Sequence, residues 1–168
     1  MLFSHSTVAR SMGNVEVRDK VYLVDGKFQE AVQAAAQVVG DYLQKKILEK
    51  ITQQDPSWPP LADATVAAKG STKAWIDTGE IFTLIADRGL RIEEGPPIQI
   101  EVGIFDHEKA FVAMCLEYGT NGVNITARGI NHTSNHIPER PLFRLVFDTE
   151  IETALSLFKD EINKRLPR

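Results

Sequence analysis

A chain of 168 residues, 43% apolar and 25% charged, is long enough for one domain with a real core and short for two. Its net charge of −4 and pI of about 5.6 weigh against a general nucleic-acid binder, which carries a basic excess, and leave room only for a local basic face. The single cysteine, Cys115, excludes an internal disulfide, no apolar run is long enough for a transmembrane helix, and the N-terminus lacks the basic-then-apolar order of a secretory signal.

Residues 1–14 are polar and contain Gly and Ser, which predicts a flexible arm. Val15, Val17, Val21 and Leu23 alternate loosely and predict a strand over 15–24, although Arg18-Asp19-Lys20 interrupts it. Residues 1–24 are thus assigned to an N-terminal arm or extension, and 25–168 to a single domain. Asp25 is the expected cap of a long helix over 27–53. Phe28, Val32, Ala36, Val39, Leu43, Ile47 and Ile51 form its apolar stripe, with Asp25 and Glu30 early and Lys45, Lys46 and Lys50 late, as the macrodipole favours. Asp55-Pro56 and Pro59-Pro60 end it.

Residues 57–72 read as a loop from which Trp58 and Leu61 tuck onto the core, because a solvated indole wastes apolar surface. Asp77-Thr78-Gly79-Glu80 opens a helical turn with Thr78 as cap and Ile81, Leu84 and Ile85 inward. Residues 89–92 and 97–105 form an antiparallel hairpin around the turn at 94–97, its apolar face on the long helix. A helix over 107–117 follows, capped by Asp106 and stopped at Gly119. It places Cys115 among Phe111, Val112, Met114 and Leu116 as a buried thiol. Residues 121–137 are a polar excursion with a strand pair around 123–127. The final helix spans 140–165, with Pro141 in its first turn. Its apolar face comprises Leu142, Leu145, Val146, Ile151, Ala154, Leu155, Phe158, Ile162 and Leu166, with a register shift near 148–150. The predicted fold is α+β, a small antiparallel sheet packed by two long helices and one short helix.

The chemistry-bearing residues do not assemble into a catalytic set. His132 and His136 have helical metal-ligand spacing, but Thr133-Ser134-Asn135 between them favours a turn, and a tetrahedral site needs further ligands. Solvated loop histidines are the favoured reading. Pairing Cys115 with either histidine lacks a flanking signature and sets a buried thiol as nucleophile. Glu93, Glu94, Asp106 and Glu108 read as turn and cap polarity, and Gly119, Gly122 and Gly129 lack phosphate-loop spacing. Lys45, Lys46, Lys50, Lys69 and Lys73 read as a solvated basic cluster without interleaved aromatics for bases to stack on. No catalytic, cofactor or metal residue is assigned, and the chain reads as a non-enzyme.

Arg140 and Arg144 flank Pro141 and Leu142-Phe143 at a helix entrance. Two readings stay open. Both arginines and Phe143 face a partner, since arginine and aromatics are enriched at interfaces. Or Phe143 is core and the arginines pair with acids such as Glu139 or Asp148.

The order of landmarks resembles the neck and tail-completion proteins of tailed bacteriophages, a group overlapping the head–tail joining, virion-morphogenesis and minor-tail families. The matching elements are the long N-terminal helix, Trp58-Pro59-Pro60-Leu61 with Thr65 and Lys69, Ile76-Asp77-Thr78-Gly79-Glu80-Ile81 and Val102-Gly103. Glu117-Tyr118-Gly119-Thr120, Ile137-Pro138-Glu139-Arg140-Pro141-Leu142-Phe143-Arg144 and the C-terminal helix complete the order. The resemblance covers about residues 27–166; residues 1–24 have no counterpart, and the excursion at 121–136 exceeds the usual spacer. It implies a structural virion protein, assembled in the host cytoplasm and placed at the head–tail junction. It also implies a ring, commonly hexameric, that completes the tail and joins it to the head-side connector. The implied partners are copies of itself, a connector, adaptor or stopper protein, a tail-tube or tail-terminator protein, and double-stranded DNA passing through the bore without sequence reading. Candidate interface residues are Glu117, Tyr118, Asn121, His132, His136, Arg140, Phe143 and Arg144. The alternatives are a cellular adaptor or toxin–antitoxin-like binding module of α+β fold, and a hydrolase using Cys115 with His132 or His136.

Overall fold

The first helix begins earlier than its capping signals predict. A computed structural model describes residues 17–93, 97–121, 124–127, 130–133 and 136–166, and in it α1 runs unbroken over Val17–Gln53. Asp25 therefore lies within the helix, and the strand expected over 15–24 is replaced by helix from Val17 onward. A strand needs a neighbour to satisfy its backbone groups, whereas a helix satisfies them within its own segment. No described strand lies alongside to make that pairing. The helix passes through residue 25 without a break, and the arm predicted over 1–14 lies outside the described residues.

Along α1 the buried apolar side chains among the described residues are Ala31, Ala35, Ala36, Val39, Leu43, Ile47 and Ile51. The predicted stripe is right from Ala36 onward, but Phe28 is 46% exposed. α1 packs chiefly against the last helix. That helix is the fifth described: α2 is Asp63–Lys69, α3 is Glu80–Arg88, α4 is His107–Tyr118 and α5 is Phe143–Arg165. At the α1–α5 seam Val39 and Leu43 meet Ala154, flanked by Tyr42, Phe147, Leu157 and Phe158. The Tyr42 hydroxyl donates to the Glu150 carboxylate across the same seam. Ile151 and Leu155, expected on the buried face of α5, are 40% and 47% exposed, because Phe147 and Leu157 take the inner positions.

β1 (Leu90–Glu93) and β2 (Gln99–Val102) form the predicted antiparallel hairpin, with Leu90 opposite Val102 and Ile92 opposite Ile100. It lies on α1 so closely that a Cβ on Gly40 would come within 2.4 Å of Leu90 Cδ1. Gln44 Nε2 donates to the Ile85 carbonyl at 2.6 Å and so ties the end of α3 to α1.

Three local expectations are corrected. The loop at 57–72 contains α2, a short helix with three alanines that ends at Gly70 with φ 67°. Thr78 does not cap α3; the N-cap is Gly79, at φ 84°, with no side-chain hydrogen bond. Pro141 precedes α5 and does not lie in its first turn. The Asp106 cap is as expected, its carboxylate accepting from Lys109 N at 2.9 Å.

The fold is α+β, with two long helices, three shorter ones, and strands paired in separate two-stranded ladders among the described residues. β3 (Thr120–Asn121) pairs with β6 (His136–Ile137), and β4 (Asn124–Ala127) pairs with β5 (Ile130–Thr133). The main core gathers Ile47, Ile51, Trp58, Ala74, Trp75, Ile85, Ala113, Leu142 and Val146. Burying each of the larger aliphatic side chains contributes about 1.5–3 kcal/mol. Among the described residues no helix is long and apolar enough to cross a membrane.

Candidate functional site

The two sequence motifs that stand out at the ends of the polar excursion meet in space. Glu117, in the last turn of α4, is 4% exposed. Its Oε2 accepts from Leu142 N at 2.7 Å and Phe143 N at 3.1 Å, and its Oε1 accepts from Arg144 N at 2.9 Å. These are the orphan N–H groups at the start of α5, which Leu142 at the N-cap position cannot satisfy with its own side chain. One carboxylate from a distant helix thus does the work of a local cap, at the end where the macrodipole favours negative charge.

Arg140 lies on the other side of the same joint, 3% exposed. Its Nε donates to the Pro59 carbonyl at 2.8 Å, Nη2 to the Pro60 carbonyl at 2.8 Å, and Nη1 to the Pro138 carbonyl at 3.2 Å. Burial pushes its pKa down, yet a guanidinium stays charged in proteins, so the carbonyl dipoles stand in for water. Its own backbone is held too: Arg140 N donates to Leu116 O at 2.7 Å, and Arg140 O accepts from Trp75 Nε1 at 3.0 Å. Trp58 Nε1 donates to Pro141 O at 2.9 Å.

Two residues that the sequence did not flag complete the joint. Trp75 sits at φ 62° and Gln54 at φ 60°, the left-handed region that costs a non-glycine residue about 1–3 kcal/mol. Both are held there by specific contacts. The Gln54 amide accepts from Ala74 N at 2.7 Å and donates to Ala74 O at 3.1 Å. The Trp75 ring meets Phe143 edge-on, with centroids 5.9 Å apart. Gly119, at φ 70°, lets the returning strand pass: a Cβ there would lie 2.8 Å from Ile137 O and 3.0 Å from Glu139 N. The result is a closed clamp at the root of the excursion, where Thr120 pairs with Ile137 and Asn121 with His136.

The candidate interface residues therefore divide. Glu117 and Arg140 are turned inward and bind backbone of their own chain, which corrects their assignment to a surface. Phe143 is half-buried against Trp75, as the core reading has it. Arg144 is exposed, 3.1 Å from Glu139, and its guanidinium lies 5.9 Å over the ring of Tyr118, which is 65% exposed. His136 is exposed in β6, while Asn121 and His132 lie in β3 and β5. Arg144 thus pairs with an acid as one reading foresaw, whereas Arg140 takes carbonyls only.

Beside Tyr118 lies an apolar surface made by two of the residues that the sequence reading set around Cys115. Phe111 and Met114 are 43% and 51% exposed. Their i, i+3, i+7 spacing with Tyr118 puts all three on one helical face, while Ala113 and Glu117 take the inner one. That offset was the available signal. Cys115 is buried, and burial pushes its thiol pKa up, which disfavours the thiolate a nucleophile needs. Among the described residues, no group of three or more His, Cys, Asp or Glu side chains is arranged to hold a metal ion. The chain matches no known protein family, no curated protein and no solved structure.

Proposed function

We propose that this chain is a structural subunit of a tailed-phage neck, a tail-completion protein that joins copies of itself into a hexameric ring between the tail and the head-side connector. The observation that carries this reading is the clamp. Three of the motifs that carry the resemblance are one physical unit, in which Glu117 caps α5 and Arg140 grips the Pro59 and Pro60 carbonyls. Residues that are far apart in sequence and share this order also share one task, fixing the root of a polar excursion. A root tied down by so many contacts suits a protein whose work is docking. The mild net negative charge suits a bore through which DNA phosphate slides without being held. In this reading the ring meets the connector, adaptor or stopper on one side and the tail tube or tail terminator on the other.

The test is location. Labelled antibody against the chain, applied to purified particles of the phage that encodes it, is expected to mark the head–tail junction. A chain absent from particles and found in the cell with a distinct small partner would replace this reading with that of an adaptor module.

A further inference from the structure

Two helices each present a described face that combines exposed apolar side chains with unpaired charge. On α4, Phe111, Met114 and Tyr118 are exposed, and exposed Glu108 lies one turn before Phe111. On α5, Ile151 and Leu155 are exposed, with exposed Asp148 and Lys159 one turn before and one turn after them. Spacings of three and four put each set on one side of its helix. Among the described residues Glu108, Asp148 and Lys159 make no ion pair, so their charges are available. Grouped apolar side chains rimmed by charge mark interaction surfaces.

We propose that the α4 face of one copy packs antiparallel on the α5 face of the next copy, with Phe111 on Leu155 and Met114 on Ile151. This rests on the ring reading and names its contact. Three observations favour a second copy as occupant. The charges match: antiparallel packing sets Glu108 against Lys159 and brings the Tyr118 hydroxyl to the Asp148 carboxylate, whereas parallel packing would set Glu108 against Asp148. The lengths match as well, since Glu108 to Tyr118 spans about 15 Å and Asp148 to Lys159 about 17 Å at 1.5 Å per helical residue. Finally, the two faces belong to different helices, so the contact is heterologous, the kind that closes a ring when repeated by one rotation. Glu117 ties the end of α4 to the start of α5, so every copy presents the two faces in the same relation.

Cysteine cross-linking tests this. Phe111→Cys and Leu155→Cys are purified separately, mixed and mildly oxidised, with light scattering of the unmodified chain alongside. Buried Cys115 does not compete. The expected result is a link between positions 111 and 155 only in the mixture, and a ladder of linked chains from the double variant. Charge reversal is the second readout. Glu108→Lys and Lys159→Glu are each expected to weaken self-association about fivefold while the chain stays folded, and the two together to restore it, because the pair is then exchanged. An intact oligomer with no link between 111 and 155, unmoved by either reversal, would overturn the docking and leave the ring. A double variant whose links stop at a closed pair would make the contact reciprocal and overturn it too. An unmodified chain that stays monomeric at its solubility limit would end both readings.

Discussion

Glu117 spends both of its oxygens on three backbone N–H groups, so its removal leaves buried donors unpaired. Glu117→Ala is expected to lower stability by about 2–3 kcal/mol, and Glu117→Gln by about half as much, since one amide oxygen replaces two carboxylate oxygens; urea midpoints check both. Arg140→Lys tests the fork: an ammonium cannot reach three carbonyls in one plane, and a loss of about 1–3 kcal/mol is expected. Arg140 was assigned to a surface because arginine is enriched at interfaces, and Glu117 was placed there with the motif that carries the resemblance. Nothing in the local sequence shows that a residue before Gly119 and one before Pro141 will meet. Gly119 was legible, since a stop glycine with positive φ is a local matter. Asp55 gives the pH dependence. The Ser57 hydroxyl, helped by Ser57 N and Lys50, holds its carboxyl below the usual range. A lowered folded-state pKa stabilises above the unfolded value and is lost as pH falls through the folded one. Ser57→Ala is therefore expected to flatten the acid limb of the stability profile and leave the alkaline limb unchanged.

At the scale of elements, α1 separates pattern from packing. Phe28 and Ile47 belong to the same apolar stripe in sequence, yet Phe28 is 46% exposed and Ile47 is fully buried. Ile47→Ala is expected to cost about 2–5 kcal/mol in chemical denaturation, and Phe28→Ala within about 0.5 kcal/mol in the free chain. Periodicity identifies a face but not how far a neighbour reaches along it, which is why the stripe was right from Ala36 and too long at its start. The same limit hid the outer position of Phe111 and Met114, read as companions of buried Cys115. Strand pairing is also non-local. The β1–β2 hairpin was legible because its turn and alternation are contiguous, while the strand expected over 15–24 lacked a described neighbour and from Val17 onward is helix.

Across the whole molecule, the clamp ties α4, Trp58 and Trp75 to the start of α5. Exposed apolar side chains among the described residues include the α4 stripe and Ile151 and Leu155 on α5. The α+β class was legible in the alternation of helical and period-two segments. Which face meets a partner was not, because that depends on which residues the clamp draws inside. In the proposed assembly these surfaces grip copies of the same chain in a closed ring. Sedimentation equilibrium across a wide concentration range measures this most directly. A closed hexameric ring predicts a discrete species at six times the 18.7 kDa chain mass that does not grow further as concentration rises; a single 18.7 kDa species at every concentration would contradict it.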